Sequence, residues 1–143
     1  MKRQLALFCL LFPLLLTAQR DKIPFDQADR LFGGQKILQY RMHSLDMKDA
    51  SAVALNDLVV RIRTNPDIIK YNLLVLQVFT CKKEANVKPY IGVVRAQMLI
   101  NYLETELGLS RRKCLILDDG PSQFDENCTA GSGINVYLRP GWN

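Results

Sequence analysis

The sequence contains few of the residues from which metal sites and catalytic centres are usually built. Among its 143 residues are four cysteines and one histidine, His43. Cys81, Cys114 and Cys128 are spaced 33 and 14 residues apart, which matches no zinc-binding pattern, and none belongs to a Cys-x-x-Cys pair. We therefore expect a protein that has no cofactor and is not an enzyme.

Long apolar runs are scarce as well, since only residues 5–16 form one. This run is too short to cross a bilayer, which takes roughly 20 residues. Two basic residues precede it and the small pair Thr17-Ala18 follows it, which is the order found in a secretory signal peptide. The sequence thus predicts a signal peptide over residues 1–18 that directs export and is cleaved after Ala18; an uncleaved membrane anchor is the alternative.

Neither sign of charge dominates the chain. The formal net charge is +5, and Lys2 and Arg3 of the predicted signal peptide carry two of these charges, which leaves +3. This mild excess is compatible with an anionic polymer of the cell envelope but is too weak to indicate nucleic acid. The sequence also lacks a basic stripe with interleaved aromatic residues, so we expect no nucleic acid partner.

The pattern of apolar residues predicts an α/β fold. Residues 19–35 show no sustained period, and we interpret them as an N-terminal arm that is either ordered or flexible. Beyond them, alternating side chains predict strands at residues 36–42 and 134–138, and apolar runs bounded by turn residues predict strands at 72–80 and 112–117. Spacings of three and four residues predict a helix after each of the first two strands. The expected domain, residues 36–140, is therefore a βαβαββ α+β sandwich with a mixed sheet and helices packed on it.

Finer features are predicted from the same pattern. The strand at 72–80 is apolar on both faces, which favours a central strand covered by helices on both sides. Ser44 or Asp46 can cap the first helix, and Gly108 can end the second. The apolar face of the second helix comprises Ile91, Val94, Met98, Leu99, Tyr102 and Leu103. A turn at residues 118–121 and two right-handed crossovers lead to a final hairpin-like return.

One helix carries a resemblance to a known family. Arg95-Ala96, Leu99, Tyr102-Leu103 and Gly108-Leu109, followed by a basic pair and a strand, resemble the signature helix of the OmpA-like, peptidoglycan-associating domain. Asn65-Pro66-Asp67 looks like the end of that family's first helix. The resemblance covers about residues 36–138 and implies a location in the periplasm or against the outer membrane.

The resemblance also implies a ligand site, which this chain has altered. In the family, a Gly-His-Thr-Asp motif ends the strand before the signature helix, and its Asp and the helix Arg hold the end groups of a peptidoglycan stem peptide. Here the strand ends in Val78-Phe79-Thr80-Cys81, so a neutral thiol replaces the carboxylate. A guanidinium fork still suits a ligand carboxylate. The implied ligand-binding residues are Arg95, Thr80, Cys81 and Lys88.

Other charged residues near this site have two interpretations. Lys82 and Lys83 can assist Arg95 in binding an anion, and Asp118 or Asp119 can supply a displaced carboxylate. The alternative is that Arg95 is a solvated or ion-paired helix residue and that the two aspartates only favour a turn.

A disulfide is predicted at the same edge of the sheet. If the second and third strands are parallel, Cys81 and Cys128 lie at one rim and Cys114 lies about 17 Å away at the other. A disulfide requires Cα atoms within about 7 Å. We therefore predict a Cys81–Cys128 bridge and one spare thiol.

Three functions are compatible with these features. The first is a non-catalytic module of the cell envelope, associated with peptidoglycan through a weakened or altered site. The second is a structural or partner-binding periplasmic protein that has lost peptidoglycan binding. The third is thiol chemistry at Cys81, since neighbouring Lys82 and Lys83 would lower the pKa of a thiol.

Overall fold

The chain alternates helices and strands, as the sequence predicts. The computed structural model describes residues 22–122, 128–129 and 131–141. In chain order the elements are α1 (Phe25–Phe32), β1 (Lys36–Tyr40), α2 (Asp49–Thr64), α3 (Asp67–Lys70), β2 (Asn72–Cys81), α4 (Lys82–Val87), α5 (Ile91–Leu107), a 3-10 turn (Arg111–Lys113), β3 (Cys114–Ser122) and β4 (Ser132–Pro140). The predicted α/β class and βαβαββ order are confirmed, with three short helices added. Within these described ranges, no helix has the length and apolar character needed to cross a membrane. The predicted signal peptide lies outside the described residues.

The four strands form one mixed sheet in the order β1-β4-β2-β3. β2 pairs with β3 in parallel, and β4 runs antiparallel to both β1 and β2. The predicted central position of β2 is therefore confirmed. The predicted hairpin-like return is wrong, because β4 does not pair with β3. It inserts between β1 and β2, where both of its edges find hydrogen-bonding partners.

The core lies on one face of the sheet. α1, α2, α3 and α5 all contribute buried side chains to a single cluster on this face. The strand residues of the cluster alternate, as expected from the two-residue period: Leu38, Tyr40, Leu74, Leu76, Val78, Ile134, Val136 and Leu138. On the opposite face of β2, Val75 is fully buried but belongs to no such cluster. Among the described residues the clustered core thus lies on one face of the sheet, and the cover of helices on both faces of β2 stays a prediction.

The arm predicted before the domain contributes to the core. α1 lies within residues 19–35, and its Ala28 and Phe32 are completely buried. The helix ends at Gly33, whose φ of 88° is the left-handed conformation that glycine adopts without steric cost. The folded unit therefore begins before the first strand.

β3 continues through the residues expected to form a turn. It extends to Ser122, with Val78 paired to Asp118 and Thr80 paired to Pro121. One extra residue on β3 between these pairs marks a β-bulge. Because β3 is an edge strand, a proline can be accommodated there without breaking a ladder hydrogen bond.

The first long helix begins later than its predicted cap. α2 starts at Asp49, with Lys48 at the N-cap and no side-chain capping bond. Ser44 and Asp46 instead shape the preceding loop, where the Asp46 N–H donates to Ser44 Oγ over 2.9 Å. The predicted capping role is therefore wrong, because the Ser44 hydroxyl is used in a local turn.

α5 is rotated relative to the predicted apolar face. Its buried side includes Ile91, Arg95, Ala96, Leu99, Ile100 and Leu103. Val94, Met98 and Tyr102 remain 42%, 48% and 39% exposed. The helix packs closely on β2 at Gly92, where a Cβ atom would collide with Val78 Cγ1. Its predicted end at Gly108 is confirmed by a φ of 63°.

Candidate functional site

Arg95 is buried between α5 and the sheet. Only 1% of its surface is exposed. Its guanidinium carbon lies 4.8 Å from the centroid of the Tyr40 ring, within the range of a cation–π contact. A ligand in solvent therefore has no open path to this guanidinium.

The guanidinium is paired with a carboxylate of the same chain. Arg95 Nη1 donates to Glu84 Oε2 over 3.0 Å, and Nη2 donates to Glu84 Oε1 over 2.6 Å. Glu84, in α4, is completely buried. These two parallel bonds form the fork geometry that favours arginine for carboxylate recognition. Glu84 thus supplies, from within the chain, the carboxylate that the sequence analysis expects from a ligand.

The remaining Arg95 donors hold the loop between β1 and α2. Arg95 Nε donates to the Ser44 carbonyl over 3.0 Å, and Nη2 donates to the carbonyls of Ser44 and Arg41 over 2.6 and 3.0 Å. Lys88 Nζ donates to the His43 carbonyl over 2.7 Å. Two cations from separate segments therefore fasten one loop over the ion pair.

The same loop completes the hydrogen bonding of Glu84. The His43 backbone N–H donates to Glu84 Oε1 over 2.7 Å. His43 adopts a φ of 56°, which is uncommon for a residue other than glycine. The Ser132 hydroxyl, at the start of β4, also hydrogen-bonds Glu84. A strained loop conformation is thus maintained by contacts to a buried charge.

Burial and the Arg95 charge together shift the pKa values of the Glu84 carboxyl and the Tyr40 hydroxyl. Burial raises the pKa of the Glu84 carboxyl, but hydrogen bonds from Arg95, Ser132 and the His43 backbone, together with the Arg95 charge, outweigh it and hold the pKa below its usual value. Burial raises the pKa of the Tyr40 hydroxyl, and the nearby Arg95 charge partly opposes this. At neutral pH the centre therefore contains an ionised Glu84 and a neutral Tyr40.

The predicted disulfide is confirmed at the adjoining rim. Cys81 is bonded to Cys128, with Cα atoms 5.2 Å apart. The Cys81 backbone N–H donates to Ser132 Oγ over 2.8 Å, so the disulfide and the ion pair share Ser132 as a neighbour. The sulfur and the guanidinium thus lie in one region of the molecule.

Cys114, at the start of β3, is the free thiol of the described residues. Burial, and secondarily the charge of Glu104, raise the pKa of Cys114 to about 11. The thiolate is the reactive form of cysteine. Cys114 is therefore protonated and poorly reactive at neutral pH.

The predicted ligand residues share a neighbourhood but do not form an open site. Arg95 is enclosed, and Cys81 is 1% exposed within the disulfide. Thr80 is 7% exposed and lies against Gly92 of α5. Lys88 remains exposed and contacts the loop over Arg95. The carboxylate that meets Arg95 belongs to Glu84 and not to Asp118, which lies on β3.

A separate open pocket of about 220 Å³ adjoins the disulfide. Its lining residues are Tyr40, Met42, Lys48, Cys81, Cys128, Gly131 and Ser132. Lys48 is the cation of this set, and Arg95 does not belong to it. Within residues 22–122, 128–129 and 131–141, no three acidic, histidine or cysteine side chains cluster as metal ligands would.

Glu84 is the functional residue that the sequence analysis missed. The sequence analysis predicts no helix between β2 and α5, whereas the structure forms helix α4 there. Glu84 is the one acidic residue among Lys82, Lys83 and Lys88. That isolated charge, eleven residues before Arg95, is the signal from which the pairing could have been predicted.

The sequence matches no protein-family model and is not similar enough to any curated protein to identify a relative.

Proposed function

We propose that the protein is a non-catalytic, partner-binding module of the cell envelope that retains an OmpA-like scaffold and has lost peptidoglycan binding through Arg95. The observation that carries this proposal is the buried Arg95–Glu84 pair. A guanidinium that recognises a ligand must be reachable, whereas both side chains of this pair are 1% exposed or less.

The arrangement of charge supports a structural role for Arg95. Its donors are directed to Glu84 and to two carbonyls of the β1–α2 loop. Displacing Glu84 with a stem-peptide carboxylate would leave a second carboxylate buried without its cation, at a cost of several kcal/mol. The intramolecular pair therefore competes effectively against any external ligand.

The proposed export to the periplasm agrees with the disulfide, since disulfides persist outside the reducing cytosol. The thiol function considered for Cys81 has no free thiolate to act through while that disulfide is intact. These features support a scaffold rather than an enzyme.

The test is co-sedimentation of the purified protein with peptidoglycan sacculi. An OmpA-like domain that keeps its Gly-His-Thr-Asp motif serves as the positive control. We expect the control to sediment and this protein to remain in the supernatant. Saturable sedimentation that free stem peptide reverses would overturn the proposed loss of binding.

A second candidate, an altered peptidoglycan contact, is favoured by the pocket beside the disulfide. Lys48 supplies a cation there, at the rim where the family's ligand is expected. If the protein does sediment with sacculi, Lys48→Ala should abolish retention. Lys22→Ala, which changes a lysine of the N-terminal region, is the matched control and should leave retention unchanged.

A further inference from the structure

The outer side of α5 carries a continuous apolar ridge. Tyr90, Val94, Met98 and Tyr102 follow one another at four-residue steps and are 77%, 42%, 48% and 39% exposed. The Val94 N–H donates to the Tyr90 carbonyl over 3.1 Å, so Tyr90 continues the helical register. Residues four apart are neighbours on a helix surface, so these side chains form one row that is inclined to the helix axis. We call these four residues the α5 ridge.

An open pocket extends the ridge at its N-terminal end. It measures about 330 Å³ and is lined by Leu45, Lys88, Pro89, Tyr90, Ile91 and Val94. Among the described residues that line it, Lys88 is the only charged one. Contiguous exposed apolar side chains rimmed by polar ones are a common feature of interaction sites.

The order of side chains along the ridge is the same in both directions. A tyrosine stands at each end and an aliphatic side chain on each side of the midpoint, which falls between Val94 and Met98. In a two-fold symmetric interface each contact occurs twice with the two copies exchanged, so this order would bring similar side chains together at both ends of the interface. In an antiparallel pair of α5 helices, Tyr90 of one copy meets Tyr102 of the other, and Val94 meets Met98. Ridges at four-residue spacing are also those that interdigitate most often between helices.

Charges at the two ends of the ridge favour the antiparallel orientation. Lys88 lies beside Tyr90, and Glu106 follows one turn after Tyr102. The Glu106 carboxylate is 39% exposed and pairs with Arg63 over 3.0 Å, an exposed contact that holds it weakly. An antiparallel partner brings Lys88 towards this carboxylate, whereas a parallel partner would place Lys88 against Lys88.

We propose that the α5 ridge binds a second copy of this chain, in an antiparallel, two-fold symmetric dimer. This inference goes beyond the proposed function, because it concerns a surface separate from the buried Arg95–Glu84 pair. It holds whether or not the protein binds peptidoglycan.

Sedimentation velocity over a range of protein concentrations tests the dimer. Met98→Glu places two carboxylates near the symmetry axis and should raise the dissociation constant at least about tenfold, which corresponds to about 1.4 kcal/mol. Ile37→Glu is the matched control, since Ile37 is 53% exposed but lies in β1, away from α5. Ile37→Glu should leave the constant unchanged. A wild-type protein that stays monomeric at all concentrations would overturn the proposal, as would equal effects of the two variants.

Cysteine cross-linking tests the orientation. In a Cys114→Ser background, Tyr90→Cys and Tyr102→Cys proteins should form a covalent dimer when mixed, and neither should do so alone. Cross-linking of Tyr90→Cys with itself would indicate a parallel pair and would refute the antiparallel arrangement.

Discussion

Replacing Arg95 with methionine is expected to be strongly destabilising. Arg95→Met keeps the length and the apolar stem of the side chain but leaves Glu84 buried without its cation, and the Arg41 and Ser44 carbonyls lose their donors. Removing one partner of a buried pair costs about 3–5 kcal/mol. Since domains of this size unfold with about 5–15 kcal/mol, this variant loses a large part of its stability.

Equilibrium unfolding in urea measures the loss directly. With a slope of about 2 kcal/mol per molar, the expected loss moves the midpoint by about 2 M. The double variant Arg95→Met with Glu84→Met removes both charges and should be more stable than Arg95→Met alone, because the unpaired carboxylate is gone. This recovery separates the effect of charge from a general packing defect.

Arg63→Met provides the matched control. Arg63 also bonds a glutamate, Glu106, at 3.0 Å, but both side chains are well exposed. Exposed pairs contribute about 0–1 kcal/mol, so the control should change little. If Arg95→Met were as mild as Arg63→Met, the buried pair would not stabilise the fold, and the case against ligand binding by Arg95 would fail.

Three further predictions follow from single groups. Folding lowers the pKa of Glu84, so its ionised form contributes stability that is fully present above about pH 4.3 and is lost as the pH falls through the folded pKa. The urea midpoint of Glu84→Gln should therefore fall less steeply with decreasing pH than that of the wild type. Equal slopes for the two proteins would contradict this. The rate at which Cys114 is alkylated should rise with pH, with a midpoint near pH 11 in the folded protein and about 8.5 in protein unfolded in urea. A midpoint of about 8.5 in both states would contradict the raised pKa. Gly92→Ala should lower the free energy of unfolding by about 1–3 kcal/mol, because the added Cβ would collide with Val78 and Thr80. The control Gln97→Ala changes an exposed residue of the same helix and should alter it by no more than about 0.5 kcal/mol. Equal urea midpoints for the two variants would show that α5 can move away from β2.

Local patterns in the sequence were sufficient to predict the elements that depend on local chemistry. Three patterns led to predictions that the structure confirms: the apolar run of β2, the glycine at the end of α5, and the positions of the cysteines relative to parallel strands. Each of these features follows from residues close in sequence or from the geometry of a single strand pair. The insertion of β4 between β1 and β2 depends on pairing between distant segments, and no local pattern encodes it.

The sequence analysis places Arg95 near Cys81, as the structure does, but it does not predict that Arg95 is buried and paired with Glu84. The apolar period of a helix assigns charged residues to its solvent face, so it predicts that Arg95 of α5 is exposed and Val94 is buried. The structure reverses both, because Glu84 supplies a buried counter-charge from another helix. This counter-charge comes from a different helix and depends on the tertiary fold, so the pattern of α5 alone does not reveal it. The resulting ion pair outweighs the preference of the helix for an apolar buried face.

The Cys81–Cys128 disulfide stabilises the same region through a different mechanism. It joins residues 47 positions apart. In the chain-entropy model, a loop of that length contributes about 4 kcal/mol by restricting the unfolded chain. Reduction should therefore lower the free energy of unfolding by about 2–4 kcal/mol, measured in urea with and without dithiothreitol.

The disulfide and the ion pair should contribute independently, although Ser132 contacts both. The bond from the Cys81 backbone N–H to the Ser132 side-chain Oγ joins β2 and β4 just beyond the last pair of their ladder, Phe79 and Gly133, and that ladder does not depend on the sulfur bond. The loss from Arg95→Met should then agree within about 0.5 kcal/mol in oxidised and reduced protein. A clearly larger loss after reduction would mean that the disulfide holds Ser132 and Glu84 in place in the folded state, and an account based only on the unfolded chain would be wrong.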